Sequence, residues 1–284
     1  MADVSKAVLI TGCSTGIGHA TAEHLLDRGW NVYATARRPE TLSDLQAKGA
    51  KTLALDVNDE ASMAAAVSAV EAAEGAVGVL VNNAGYSQSG AIEDVGMDVV
   101  RRQFETNVFG LVRMSQLVLP GMREQRWGKI VNVSSMGGKL VFPGGGFYHA
   151  TKYAVEAISD ALRFEVAGFG VDVAIIEPGL IRTEFGETAA HGVGAATPDD
   201  GPYAGFNAAV AGQTKEVYEG GPLAKLGGGP ETVARAIEKA ITKRRPRTRY
   251  KVTPSARMAL ATRKLMTDRM WDRAMRSNFP QPGR

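Results

Sequence analysis

Lys6-Ala-Val-Leu-Ile-Thr-Gly-Cys-Ser-Thr-Gly-Ile-Gly18 is the stretch that decides the fold. Its first half is a short apolar run suited to a parallel strand buried on both faces, and the glycines end it abruptly. The spacing Gly12-x-x-x-Gly16-x-Gly18 gives a sharp turn into a helix over residues 20–27. Gly12, Gly16 and Gly18 let the backbone turn and approach a ligand with no Cβ in the way. N–H groups and the helix dipole then favour a pyrophosphate at the turn. The plain alternative, a tight turn with no ligand, is weakened by the strand before it and the helix after it. The pattern departs from the commoner Gly-x-Gly-x-x-Gly.

Outward from this turn the same alternation repeats. Short apolar runs at residues 31–36, 52–56, 79–82, 129–134 and 171–176 read as strands, and helical stretches near 59, over 97–125 and over 147–167 separate them. Five- or six-residue strands alternating with helices specify an α/β fold of Rossmann type, doubly wound, with a mainly parallel sheet flanked by helices. Right-handed crossovers bring the strand ends to one edge. Between residues 179 and 229 Gly, Pro and Ala interrupt the pattern, as expected of a substrate lid. A helix near 231–242, an extended segment 249–252 and a last helix over 255–276 complete one domain spanning 1–284.

Composition sets the outer limits. With 284 residues, 44% hydrophobic and 22% charged, the chain is an ordinary globular protein with ample core. A single cysteine, Cys13, excludes an internal disulfide and agrees with a reducing compartment. Nothing approaches the roughly 20 consecutive apolar residues of a membrane span. The start of the chain runs directly into a strand, leaving no room for a signal peptide, so a cytoplasmic location is expected. His19, His24 and His191 lack metal-ligand spacing, and no metal is expected.

Chemistry enters with Tyr148 and Lys152, four residues apart and thus on one helix face. A lysine cation there favours the tyrosinate and lowers a phenol pKa that is otherwise near 10. Such a phenol exchanges a proton with an alcohol or carbonyl. His149 points off that face and is read as a packing or surface residue. At the end of the second strand, Thr35-Ala-Arg-Arg38 holds no acid to bind a ribose 2′-hydroxyl. Arg37 and Arg38 suit a 2′-phosphate instead, so NADP(H) is favoured over NAD(H), unless both arginines are merely solvated. Asp56 is placed to bond the adenine amine.

Together these residues resemble the classical short-chain dehydrogenase/reductase family. The resemblance runs over roughly residues 6–190: the glycine turn, Asn82-Asn-Ala-Gly85, Asn107, Ser135, Tyr148, Lys152 and Pro178-Gly179, in the family's order. The wording of residues 32–37 and 246–250 is similar to the subgroup near 17β-hydroxysteroid and retinol dehydrogenases. The resemblance implies that Tyr148 is the general acid/base, with Lys152 lowering its pKa and holding the nicotinamide ribose. Ser135 would donate to the substrate oxygen, and Asn107 would hold a water linking Lys152 to solvent. Ser134 adjoins Ser135, and only the spacing to Tyr148 selects the second. Thr183 would bind the carboxamide. Gly12, Ser14, Thr15, Gly16, Ile17, Gly18, Arg37, Arg38, Asp56 and Val57 would line the cofactor site. So would Asn83, Ala84, Gly85, Pro178, Gly179 and Ile181. A homodimer or homotetramer formed through long helices is also implied.

The expected reaction is hydride transfer between nicotinamide and a carbonyl or alcohol. Met136, Leu140, Val141, Phe142, Phe147 and Phe185 suggest an apolar substrate such as a steroid, retinoid or lipid-like carbonyl, unless they serve only the core. The alternative is a non-catalytic NADP-binding sensor or scaffold, although it need not keep a proton relay. An epimerase fits less well, because those enzymes carry a larger C-terminal domain. The net charge of +3 conceals an asymmetry: residues 243–284 hold 13 Lys or Arg and two Asp, leaving residues 1–242 at −8. A helix face docked against the acidic body is the favoured reading of this basic extension. Peripheral membrane contact stays open beside it, and no nucleic acid partner is expected.

Overall fold

The computed structural model describes residues 4–196, 200–219 and 225–283. Residues 1–3, the lid segments 197–199 and 220–224, and Arg284 of the basic extension lie outside the described residues. The described strands form a seven-stranded sheet: β1 (Val8–Ile10), β2 (Val32–Ala36), β3 (Lys51–Ala54), β4 (Val79–Asn82), β5 (Gly128–Val133), β6 (Val171–Pro178) and β7 (Arg249–Val252). All pairs are parallel, in the order β3-β2-β1-β4-β5-β6-β7. The order reverses between β1 and β4, where Ile10 pairs with Val81, and this switch point opens a crevice at the carboxyl ends of the strands.

Both faces of the sheet are covered, which explains the continuous apolar runs. Successive residues of β1 face opposite cores: Val8 and Ile10 join one, Leu9 the other. The first core is sealed by Leu25 of α1 (Gly16–Asp27), Leu45 of α2 (Ser43–Ala47) and Ile237 of α9 (Pro230–Thr242). The second is sealed by Val70 of α3 (Glu60–Glu74) and Met114 and Met122 of α5 (Gly110–Glu124). Trimming a fully buried leucine such as Leu80 to Ala costs about 2–5 kcal/mol. Among the described residues, no helix is long and apolar enough to cross a membrane.

Three segments differ from the sequence reading. The helix expected over 97–125 begins as α4 (Met97–Phe104) and passes through a π-helical turn, Glu105–Phe109, before α5. The lid is more regular than its Gly and Pro content suggests: α7 (Phe185–Ala196) and α8 (Ala204–Glu219) pack together, in keeping with their alanines. The last helix is two, α10 (Pro254–Leu265) and α11 (Asp268–Arg276). They are separated by extended Met266 and restarted by Thr267, whose side chain accepts from the Met270 N–H.

Candidate active site

The glycine turn is built as its residues require. Gly12 and Gly16 take φ of 72° and 63°, values that L side chains rarely adopt. Gly18 has an ordinary φ, but a Cβ there would overlap the Gly12 carbonyl oxygen, so α1 can press against β1 only at glycine. Thr11 Oγ1 accepts from the N–H groups of Asn83 and Ala84, both at 3.0 Å. Asn83 Nδ2 donates to the carbonyls of Thr11 (3.0 Å) and Gly12 (2.9 Å). The ends of β1 and β4 are thereby locked across the switch point.

A cavity of about 730 Å³ lies above this lock. One end is lined by Gly12, Ser14, Thr15, Gly16, Ile17, Arg37, Asp56 and Val57, with Asn83, Ala84 and Gly85 between the ends. Ser135, Tyr148, Lys152, Pro178, Gly179, Ile181 and Thr183 line it too. Gly18 packs beneath the turn, and Arg38 is exposed and absent from the lining. Asp56 lies beyond β3 rather than ending it, with its carboxylate accepting from the Asn58 N–H at 3.0 Å. Helix α1 has no side-chain cap from Thr15 and no acid in its first turn, and its first residues, Gly16 and Ile17, line the cavity. That N-terminus, the glycine cradle and Arg37 fit a phosphorylated dinucleotide.

Tyr148 and Lys152 both stand on α6 (Gly146–Val166). Burial pushes the Tyr148 phenol well above its ordinary value, Tyr218 adds to the shift, and the Ser135 hydroxyl opposes it. The help expected from Lys152 is therefore not the dominant influence. The ammonium sits 5.8 Å from the Tyr148 ring centroid and donates to the Val133 carbonyl at 2.9 Å. Burial pushes Lys152 down to about 8, with Glu156 acting against that shift. Ser135 Oγ accepts from the Gly137 N–H at 3.0 Å. Ser134, its neighbour, is buried with a hydroxyl that has no hydrogen-bond partner among the described residues.

Asn107 lies in the π-helical turn and not in the cavity lining. Its Nδ2 donates to the Tyr86 carbonyl (2.9 Å) and to Thr151 Oγ1 (3.1 Å), while Oδ1 accepts from the Tyr86 N–H (3.0 Å). Thr151 Oγ1 donates in turn to the Tyr148 carbonyl at 2.7 Å. One chain of hydrogen bonds therefore ties the loop after β4 to the turn of α6 that carries Tyr148.

Sequence reading missed several residues. Tyr86, Gln88, Thr188 and Tyr218 line the cavity. Of the six apolar residues expected there, Phe185 lines it, packing on Tyr148 with ring centroids 5.7 Å apart. Leu140 is core, Val141 is exposed, and Met136 and Phe147 are half-buried outside the lining. Phe142 packs between His149 and Trp271 at 5.9 Å from each. His149 is buried, not on the surface. Its Nδ1 lies 3.0 Å from the Gly137 carbonyl and its Nε2 accepts from the Phe142 N–H at 3.2 Å, so the neutral ring carries its proton on Nδ1. Burial holds its pKa down to about 4. A Cβ on Gly137 or Gly145 would run into the ring. Cys13, pushed up to about 12 by burial, is an unreactive core thiol.

The far C-terminal segments support the same site. The Gly179 N–H donates to the Val252 carbonyl, and the Leu180 N–H donates to Ser255 Oγ, each at 3.1 Å. Between them Thr253 holds φ of 81°, a strain of about 1–3 kcal/mol for a β-branched residue, while it caps α10. Trp271 Nε1 donates to the Val141 carbonyl at 3.0 Å.

Comparison with known proteins places this arrangement. Residues 6–193 match the short chain dehydrogenase family. A 3-ketodihydrosphingosine reductase of Bacteroides thetaiotaomicron is 37% identical over 274 residues, covering 95% of this chain and 97% of that protein. An NADPH-dependent 3-dehydrocapnine reductase of Ornithobacterium rhinotracheale is 36% identical over 277 residues, 94% of this chain and 95% of that one. The crystal structure of a short-chain dehydrogenase from Streptomyces avermitilis aligns with a TM-score of 0.78 at 35% identity, covering 96% of this chain and 98% of that one.

Proposed function

The chain belongs to the short chain dehydrogenase family, and from that premise we propose that it is an NADPH-dependent reductase of a carbonyl on an apolar, lipid-like substrate. One observation carries the reading. Tyr148, Ser135 and Lys152 share a single cavity with the glycine turn and Arg37, so a dinucleotide held by the turn reaches the proton donor. The similar reductases of 3-ketodihydrosphingosine and 3-dehydrocapnine support ketone reduction, and the second supports NADPH.

Arg37 would hold the 2′-phosphate, the α1 N-terminus the pyrophosphate, and Thr183 and Lys152 the nicotinamide half. When bound, the dinucleotide supplies the hydride for the carbonyl carbon. The chain's own residues manage the oxygen. Tyr148, kept protonated by burial, donates its phenolic proton to the carbonyl oxygen as negative charge develops there. The Ser135 hydroxyl stabilises that charge. Lys152, near 8, is mostly protonated at neutral pH and supplies a positive charge close behind the phenol. Asn107 acts as a positioning residue through Thr151. Any water relay to Lys152 would have to use the one lone pair of Oδ1 left over from Tyr86.

Residues 1–284 act as one domain working in the cytoplasm, where its single thiol stays reduced. A dimer or tetramer suits the exposed apolar residues on the long helices, Phe109 just before α5 and Phe164 on α6.

The test follows NADPH oxidation by absorbance with long-chain ketones, steroids and retinoids, for the wild type and Tyr148→Phe. Turnover that falls about 10²–10⁴-fold in the variant while NADPH still binds is the expected result. A protein that binds NADPH tightly and reduces nothing on such a panel would be a sensor. One that binds no dinucleotide would overturn the reading altogether.

A further inference from the structure

A second cavity, of about 690 Å³, lies at the outer edge of the sheet between α9, β7 and the start of α10. Its cations are Arg249 and six others: Arg235, Lys239, Lys243, Arg247, Lys251 and Arg257. Arg249 turns inward to Glu156 and Asp160. None of the other six has a carboxylate at ion-pairing distance among the described residues, and all six are exposed. Among the described residues the lining contains no acid. On α9 the buried residues Val233, Ile237 and Ala240 occupy one face, which leaves Arg235 and Lys239 on the other, and Lys243 follows as the C-cap.

Docking of the basic extension onto the acidic body by ion pairs is therefore slight. Arg249 makes such contacts, whereas Arg263 pairs with Asp268 inside the extension itself. The charge faces outward, and apolar residues accompany it. On α10, residues 257, 258, 261, 264 and 265 share a face at helical spacing, and all five are exposed. That face carries Arg257 from the groove and Lys264, together with Met258 at 48% exposure and Leu265 at 83%. Beyond it stands Met270 on α11, which also places Trp271 against the Val141–Phe142 loop, and Phe142 packs on His149, which packs on Tyr148 of the catalytic cavity.

We infer that this face docks on an anionic lipid bilayer, with the groove cations over the headgroup phosphates and Met258 and Leu265 in the interface. Unneutralised cations attract an anionic surface, and exposed apolar side chains beside them add burial that a purely ionic contact lacks. The docked face adjoins the loop that packs through His149 on Tyr148, where a substrate drawn from the bilayer would arrive. Docking itself does not depend on the reductase reading, since it is measured without turnover.

The experiment is co-sedimentation of the full-length protein with vesicles of phosphatidylglycerol and phosphatidylcholine, or of phosphatidylcholine alone. It is run at low and high salt beside a duplex DNA competitor. Wild type is expected on the anionic vesicles at low salt and largely released at high salt. The exposed charge reversal Lys239→Glu/Lys243→Glu should weaken partitioning on the order of tenfold or more. Leu265→Asp should weaken it without changing the NADPH affinity, which also reports on folding. Absence from anionic vesicles would overturn the inference, as would equal binding to neutral ones or variants that bind like wild type. Preference for the DNA would reassign the groove to nucleic acid, and loss of an oligomer in the charge variant without vesicle binding would reassign it to a second copy.

Discussion

Asn107 holds Tyr86 by both of its backbone polar groups, donating to the carbonyl and accepting from the N–H. The side chain completes for that loop what a neighbouring strand would otherwise supply. Asn107→Ala leaves buried partners unsatisfied, at about 1–3 kcal/mol for each group stranded. The expected outcome is a lower urea midpoint together with a fall in kcat and little change in NADPH affinity. A variant that lost stability but kept kcat would confine Asn107 to the fold.

Arg37 borders the cavity and Arg38 does not. Removing a charged hydrogen bond to phosphate costs about 1.5–3 kcal/mol. Arg37→Asp should therefore weaken NADPH binding by roughly ten- to a hundredfold and favour NADH, whereas Arg38→Ala should change little. Fluorescence titration with both nucleotides distinguishes the two arginines. Equal losses would mean that both reach the phosphate.

His149 titrates near 4 in the folded protein against an ordinary value of 6.5. Below 6.5 the unfolded chain takes up a proton that the folded ring refuses, so stability falls as pH drops and the loss is complete near 4. The shift corresponds to about 3 kcal/mol across that window. His149→Gln removes this contribution, and denaturation midpoints at pH 7 and 4.5 should converge in the variant relative to wild type. The same slope in both proteins would show that another group carries it.

Strand positions were legible because a sheet buried on both faces demands unbroken apolar runs, as at Val8–Ile10 and Val79–Asn82. Tyr148 and Lys152 were legible because helical spacing alone puts them on one side of α6. The π-helical turn at Asn107 was not, since one extra residue in a turn leaves the apolar pattern of a long helix almost unchanged. The break before α11 had a signal in Thr267-Asp268, a start of helix that continuous amphipathicity concealed. The role of His149 depends on Gly137 and Phe142 arriving from another loop, and spacing within α6 carries no trace of them.

The hold of Val252 and Ser255 on Gly179 and Leu180, and of Trp271 on Val141, makes the proposed site depend on residues synthesised after it. Every residue assigned to chemistry or cofactor has left the ribosome once Thr183 has emerged. The nascent chain then carries the whole reactive set without the clasp that shapes it. Trp271 follows Thr183 by 88 residues, so a chain cut short between the two carries the side chains proposed for catalysis and an unfinished site.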